Sequence, residues 1–185
     1  MEDGFIRKVG NTDVYVTQGD ITRTPADAIV AAVSSAAPWS GGVDSAIMEI
    51  AGGHYHNQLE SGIPLSKDLQ TIVAKGNRLT HAGEFDDVVF VVDDFLSPLN
   101  EVVYAGVEAA NNQGYKNILL PALWEGVVFR GVEKTPEEAV RRISRGISKF
   151  FDKYSGDTKL ENLGFVVYNN QRTADMLSAA LLRDI

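Results

Sequence analysis

Three short, continuous runs of small and apolar residues place the strongest constraint on how this chain can fold. They occupy residues 28–33, 88–92 and 117–120, and such a run is typical of a strand that is buried on both faces. Segments in which apolar residues recur with helical spacing separate the runs. This alternation predicts a three-layer α/β/α fold, in which helices cover both faces of a central mixed β-sheet.

Weaker signals complete the expected order of elements. Residues 5–9 and 13–17 flank Gly10-Asn11-Thr12, which predicts a hairpin. In an α/β fold, ligands collect at the carboxyl ends of the strands, so the segments that follow the strands are the first place to look for a site. Further strands are expected at residues 71–75 and 163–168, and helices at residues 43–59, 98–113, 135–154 and 173–182.

The composition narrows the possible partners. The 185 residues contain no long linker, so one domain spanning residues 1–185 is expected. The formal net charge of -8 argues against broad binding to nucleic acid, and the absence of cysteine excludes disulfides and thiolate metal sites. No apolar run approaches the roughly 20 residues that span a bilayer, and the acidic N-terminus lacks an apolar signal core. We therefore expect a cytoplasmic protein without membrane contact.

The first candidate motif is Gly19-Asp20-Ile21, directly after a predicted strand. Glycine allows a sharp turn there, and the aspartate then lies at the strand exit, where its carboxylate can accept a hydrogen bond from an amine. A turn in which the aspartate merely caps the following backbone is the structural alternative.

Two further motifs follow later strands. Ser40-Gly41-Gly42-Val43-Asp44 precedes a predicted helix, where backbone N–H groups and the helix dipole favour an anion; an ordinary connecting loop would read the same way. The segment at residues 121–131 follows the strand at 117–120. It is interpreted either as a second loop over the same cleft or as a surface loop with a packed Trp124.

Other polar clusters carry weaker signals. His54 and His56 lie two residues apart near a helix end and could bind a metal only with outside ligands, so no metal site is predicted. The acidic pairs Asp86-Asp87 and Asp93-Asp94 flank a predicted strand, and we interpret them as solvated ends or helix caps.

Taken in this order, the three motifs resemble those of the macrodomain family. The family pattern is a strand, Gly-Asp-Ile-Thr, a strand ending in Asn-Ala-Ala-Asn, a loop with Gly-Gly-Val-Asp before a helix, and much later a strand ending in Pro-Ala. At the corresponding places this chain has Gly19-Asp20-Ile21-Thr22, Gly41-Gly42-Val43-Asp44 and Leu120-Pro121-Ala122. The resemblance covers residues 5–183 and is close at the first two motifs.

The resemblance implies a cleft for ADP-ribose or a related adenine nucleotide, free or attached to protein, with no cofactor. In macrodomains the aspartate of the first motif hydrogen-bonds the adenine amine, the glycine-rich loop wraps the diphosphate and distal ribose, and the second loop covers the phosphates. Tyr168 is either an aromatic neighbour of adenine or a core tyrosine. The ligand-binding residues implied for this chain are Asp20, Ile21, Ser40, Gly41, Gly42, Val43, Gly126, Val127, Val128, Phe129 and Tyr168.

The distal-ribose end departs from the family pattern. Asn-Ala-Ala-Asn is replaced by Ala31-Ala32-Val33-Ser34, and a serine cannot reproduce the two-sided hydrogen bonding of an amide. Asp44 keeps the carboxylate that helps to activate water or orient the ribose in one hydrolase branch. The resemblance thus implies Asp44 and Ser34 as catalytic candidates. Three functions stay open: an ADP-ribose-binding module, a hydrolase that removes ADP-ribose from proteins or phosphate from ADP-ribose 1″-phosphate, and a degenerate macrodomain with a structural role or a different nucleotide ligand.

Overall fold

The computed structural model describes residues 4–35, 42–62, 67–124 and 131–185. Within these ranges the strands are β1 (Phe5–Val9), β2 (Thr12–Gln18), β3 (Ala26–Val33), β4 (Thr71–Ala74), β5 (Phe85–Val92), β6 (Asn117–Leu120) and β7 (Asn162–Val167). The α-helices are α1 (Val43–Ala51), α2 (His54–Gly62), α3 (Leu99–Gln113), α4 (Pro136–Tyr154) and α5 (Gln171–Asp184). None of the helices in the described part of the chain is long and apolar enough to cross a membrane.

The strands form a single mixed sheet in the order β1-β2-β7-β6-β3-β5-β4 across the described residues. The five central strands of this order, which are β2, β7, β6, β3 and β5, run parallel to one another. The two outer strands are antiparallel to their neighbours, and the β1–β2 pair is the predicted hairpin. The carboxyl ends of all five parallel strands consequently lie along one edge of the sheet.

The sheet separates two apolar layers, because alternate side chains of a strand point to opposite faces. On β3, Ala28 and Val30 face the layer that contains α3, α4 and α5. Ile29, Ala31 and Val33 face the layer that contains α1 and α2. The predicted three-layer α/β/α fold is therefore confirmed, and the continuous apolar run at residues 28–33 reflects burial on both sides.

The helix predicted at residues 43–59 is two helices. Gly52 ends α1 with φ 66°, in the left-handed region that favours glycine, and its N–H bonds the Met48 carbonyl at 2.8 Å. Gly53 follows, and α2 begins at His54. The turn brings α2 back against the same face of the sheet, so side chains of the two helices can meet.

The interpretation of Asp86 and Asp87 as solvated strand ends is wrong, because both residues lie inside β5. Asp87 is buried and accepts hydrogen bonds from Lys75 Nζ at 2.9 Å and from the Tyr115 hydroxyl at 2.5 Å. Arg78 Nη2 lies 2.8 Å from Asp86 Oδ2, and the Arg78 N–H donates to Asp86 Oδ1. These partners explain how two acids are tolerated in a strand.

The Asp86–Arg78 pair predicts a pH-dependent contribution to stability. The hydrogen bonds from Arg78 lower the pKa of Asp86, so the stabilisation is present above its ordinary pKa near 4 and is lost as the pH falls through the lower folded value. Asp86→Asn should lower the free energy of unfolding at pH 7 by less than about 1 kcal/mol, because the pair is partly exposed. Urea unfolding of the wild type and of Asp86→Asn at pH 7 and near pH 2 measures this loss of stability. An equal loss at both pH values would contradict the assignment of the pH dependence to the Asp86–Arg78 pair.

Candidate functional site

The segments that leave the parallel strands gather the predicted site residues at one edge of the sheet. Asp20 follows β2, Ser34 follows β3, Pro121 follows β6 and Tyr168 follows β7. Asp93 follows β5, which is the fifth of the parallel strands. This is the edge at which open α/β sheets bind ligands.

Asp20 is held in a defined orientation at the exit of β2. Its Oδ1 accepts hydrogen bonds from the Thr22 N–H at 2.9 Å and the Thr22 hydroxyl at 2.6 Å, so it caps the short 3-10 helix Ile21–Arg23. The Arg23 Nε atom lies 3.5 Å from Asp20 Oδ2, and 41% of the Asp20 side chain remains exposed. The structure thus contains the cap that one interpretation predicts, and it also leaves the oriented carboxylate partly exposed.

Tyr168 follows β7, the neighbour of β2, at the same carboxyl edge. The Gly19 N–H donates to the Val167 carbonyl at 3.0 Å, which joins the turn after β2 to the end of β7. Tyr168 is 75% exposed, so the alternative that it is a core tyrosine is wrong. It lies just beyond β7 rather than within it, since the strand ends at Val167.

The start of α1 forms the second part of the site. Gly42 is the N-cap, with φ 67° and ψ -140°, and the next residue, Val43, begins the helix. A non-glycine side chain would be strained at this φ, which explains the glycine at this position. The unpaired N–H groups of a helix's first turn, together with the dipole, favour an anion there. Ser40 and Gly41, predicted to take part in the same cradle, lie outside the described residues.

A buried acid–imidazole pair lies directly behind this helix start. Asp44 is in the first turn of α1 and His56 is on α2; their side chains are 3% and 0% exposed, and His56 Nε2 contacts Asp44 Oδ1. The His56 ring packs beside Phe90 of β5, with the ring centroids 5.4 Å apart. The second oxygen, Asp44 Oδ2, is buried and has no hydrogen-bond partner among the residues that the structure describes.

The sequence predicts His56 only as half of an incomplete metal pair with His54, and it does not predict the contact with Asp44. The signal is weak because Asp44 and His56 are 12 residues apart and meet only after the turn at Gly52. Across the described ranges, no group of three or more His, Asp or Glu side chains is arranged to hold a metal ion.

The chain after β3 is tied to the chain after β5. The Ser35 N–H and hydroxyl donate to the two oxygens of Asp94, at 2.8 and 2.7 Å. Asp93 is buried, so the interpretation of this pair as solvated ends is wrong for Asp93, while the Asp94 carboxylate fixes the segment that carries Ser34. Ser34 is itself partly buried at the strand exit.

The structure describes both ends of the predicted second loop, at residues 121–124 and at Gly131. Trp124 packs against the apolar layer of α3, α4 and α5, as the alternative of a surface loop with a packed tryptophan predicts. At the other end, a side chain at Gly131 would come within 2.4 Å of the Phe95 carbonyl oxygen, so the two segments approach closely. Gly126, Val127, Val128 and Phe129 lie outside the described residues, and their role stays a prediction.

Comparison with known proteins identifies relatives of two kinds, although no family model matches the chain. It is 27% identical over 182 residues to an O-acetyl-ADP-ribose deacetylase of Citrobacter rodentium, and the match covers 88% of this chain and 92% of the relative. A Klebsiella pneumoniae protein of the same name is 26% identical over 178 residues, covering 86% of this chain and 91% of the relative.

The similar solved structures are macrodomains. A mutant of the Oceanobacillus iheyensis macrodomain superposes with a TM-score of 0.75 at 18% identity, covering 95% of this chain and 90% of that one. The Trypanosoma brucei macrodomain in complex with ADP-ribose superposes with a TM-score of 0.73 at 19% identity, covering 91% of this chain and 68% of that one. The similarity therefore extends over almost the whole sheet and its helices.

Proposed function

Because this chain is a divergent macrodomain, we propose that its cleft binds ADP-ribose or a closely related adenine nucleotide, free or attached to protein. In this proposal residues 1–185 form one macrodomain. The observation that carries the proposal is Asp20, whose carboxylate is fixed by Thr22 at the exit of β2 and remains 41% exposed. The solved Trypanosoma brucei relative is a complex with ADP-ribose.

At the adenine end, Asp20 supplies the polar contact and Tyr168 the apolar one. A carboxylate only accepts hydrogen bonds, so it suits the exocyclic amine of adenine and opposes a carbonyl at the same position. The exposed Tyr168 ring follows the neighbouring strand and offers a flat surface for the base.

At the phosphate end, the donors are backbone N–H groups rather than cationic side chains. The start of α1 at Gly42 and Val43 provides such donors, which suits a chain of net charge -8 that must bind an anion locally. We assign Ser40 and Gly41 to the same cradle. Gly126, Val127, Val128 and Phe129 would cover the diphosphate from the other side.

The binding proposal predicts that Asp20→Asn weakens ADP-ribose binding about 10- to 100-fold, which corresponds to leaving one amine contact unpaired. Asparagine is chosen over alanine because its amide oxygen can still accept from Thr22 and keep the cap. Titration calorimetry of both proteins measures the effect. Asp152→Asn, an exposed aspartate on α4, is the matched control and should bind as the wild type does.

A base analogue sharpens this experiment. Hypoxanthine carries a carbonyl oxygen in place of the adenine amine, so the wild type should discriminate against the hypoxanthine form of ADP-ribose, and Asp20→Asn should lose that preference. An absence of heat with the wild type at near-millimolar ADP-ribose would refute the binding proposal. Unchanged binding by Asp20→Asn would refute the adenine assignment alone.

A second candidate function is hydrolysis of an acyl ester on the distal ribose. It is favoured by Asp44, whose Oδ2 atom has no hydrogen-bond partner among the described residues. The curated relatives are named O-acetyl-ADP-ribose deacetylases. Asp44 Oδ2 accepts a proton from water as the water oxygen bonds to the acyl carbon. The ester C–O bond then breaks, the ribose oxygen takes up the proton, and the carboxylic acid is released. One water is consumed, and no oxidant or further reactant is needed.

Ser34 is the other polar group that we assign to this end of the cleft. The hydrogen bonds from Ser35 to Asp94 fix the segment that carries it. A serine hydroxyl can contact one ribose hydroxyl, whereas an amide could accept and donate at once. We therefore assign Ser34 to orienting the ribose and Asp44 to the proton transfer.

A further inference from the structure

We propose that His56 is a positioning residue for Asp44 in this hydrolysis, an inference that rests on the hydrolytic form of the proposed function. His56 Nε2 contacts Asp44 Oδ1, and both side chains are at least 97% buried. With Asp44 ionised, Nε2 must carry the hydrogen, because a carboxylate can only accept. One carboxylate oxygen is thus fixed by the imidazole, and Oδ2 is the oxygen left for water or the ribose.

The packing around His56 holds the imidazole in place. Its ring lies beside Phe90 in the centre of β5, and Tyr55 and Leu59, its neighbours on α2, are buried in the same apolar layer. The turn at Gly52 and Gly53 sets α2 against α1, so the histidine reaches the first turn of α1. A rigid imidazole restricts the rotation of the Asp44 carboxylate, and restricting a reacting group to one orientation is a recognised source of rate.

A double-mutant cycle distinguishes positioning from a purely structural role. His56→Leu should lower kcat for O-acetyl-ADP-ribose roughly 10- to 100-fold with little change in KM, because the carboxylate loses its fixed orientation. His56→Gln should retain most of the activity, because glutamine can place an N–H donor near the position of Nε2. In an Asp44→Ala background, His56→Leu should cause no further loss, since the group it positions is gone.

The matched control is His54→Leu, which changes the exposed histidine at the start of the same helix. It should leave kcat unchanged. Equal losses in His56→Gln and His56→Leu would overturn the proposal, as would a further loss in the Asp44→Ala background. If the wild type shows no turnover, the proposal fails together with the hydrolytic function, whereas the ADP-ribose titration still decides the binding function.

Nitrogen NMR of the imidazoles gives a readout that does not depend on turnover. The chain has three histidines, so single substitutions suffice to assign their signals. The His56 hydrogen should reside on Nε2 in the wild type, and the Nε2 resonance should move in Asp44→Ala while the His54 and His81 signals stay in place. A His56 ring that carries its hydrogen on Nδ1 alone would overturn the proposal.

Discussion

Phe90→Ala is expected to lower the free energy of unfolding by about 3–5 kcal/mol, the range for removing a fully buried aromatic ring. Phe90 is 0% exposed and lies in the middle of β5, paired with Ala31 on β3 and Ile72 on β4. Its ring also packs beside His56. The loss combines the hydrophobic transfer term with the cavity left between the sheet and α2.

Urea unfolding at neutral pH measures this loss, and the chain provides a matched control. Phe5 is the same residue type in a strand, but it is 49% exposed at the edge of the sheet. Phe5→Ala should therefore cost about 0.5 kcal/mol or less. Similar losses in the two variants would contradict the assignment of Phe90 to the apolar layer that supports α1 and α2.

Asp44→Asn is expected to lower the rate of O-acetyl-ADP-ribose hydrolysis about 10²- to 10⁴-fold, the range for removing a general base. Asparagine has nearly the shape of aspartate, and its amide oxygen can still accept from His56 Nε2. Its amide nitrogen cannot accept a proton from water. The dissociation constant for ADP-ribose should change little, because we assign the adenine and phosphate contacts to other residues.

Steady-state kinetics and calorimetry on the same preparations test the Asp44 prediction. Asp152→Asn, in which an exposed aspartate of α4 is changed, should hydrolyse at the wild-type rate. Loss of ADP-ribose binding together with turnover in Asp44→Asn would show that Asp44 shapes the cleft rather than transferring a proton. If the wild type neither binds nor hydrolyses, the remaining interpretation is a macrodomain with a structural role or a different nucleotide ligand.

Most of the sheet could be predicted from the sequence because its central strands are buried on both faces. β6 occupies residues 117–120, as the apolar run indicates. The strand expected at residues 88–92 is longer in the structure, where β5 begins at Phe85. Asp86 and Asp87 interrupt the apolar pattern at its start, so the sequence does not indicate these first residues. Charged residues in a strand can be anticipated only when their partners are known, and here Arg78 and Lys75 come from other segments.

The site was predictable where its residues are local in sequence. The glycine–aspartate turn after β2 needs no distant contact, and the structure places Asp20 at the strand exit. The Asp44–His56 pair could not be predicted, because it depends on the angle between α1 and α2. Whether Tyr168 is exposed likewise depends on how β7 ends within the sheet.

The parallel arrangement of the five central strands has a consequence for how such a protein can diverge. The exits of β2 and β7 lie on one side of the carboxyl edge of the sheet and the exits of β3 and β5 lie on the other, with β6 between them. Substitutions at one end therefore need not disturb the geometry at the other. Changes at Ala31 and Ser34, where the family pattern has asparagines, can thus arise without altering the glycine–aspartate turn after β2.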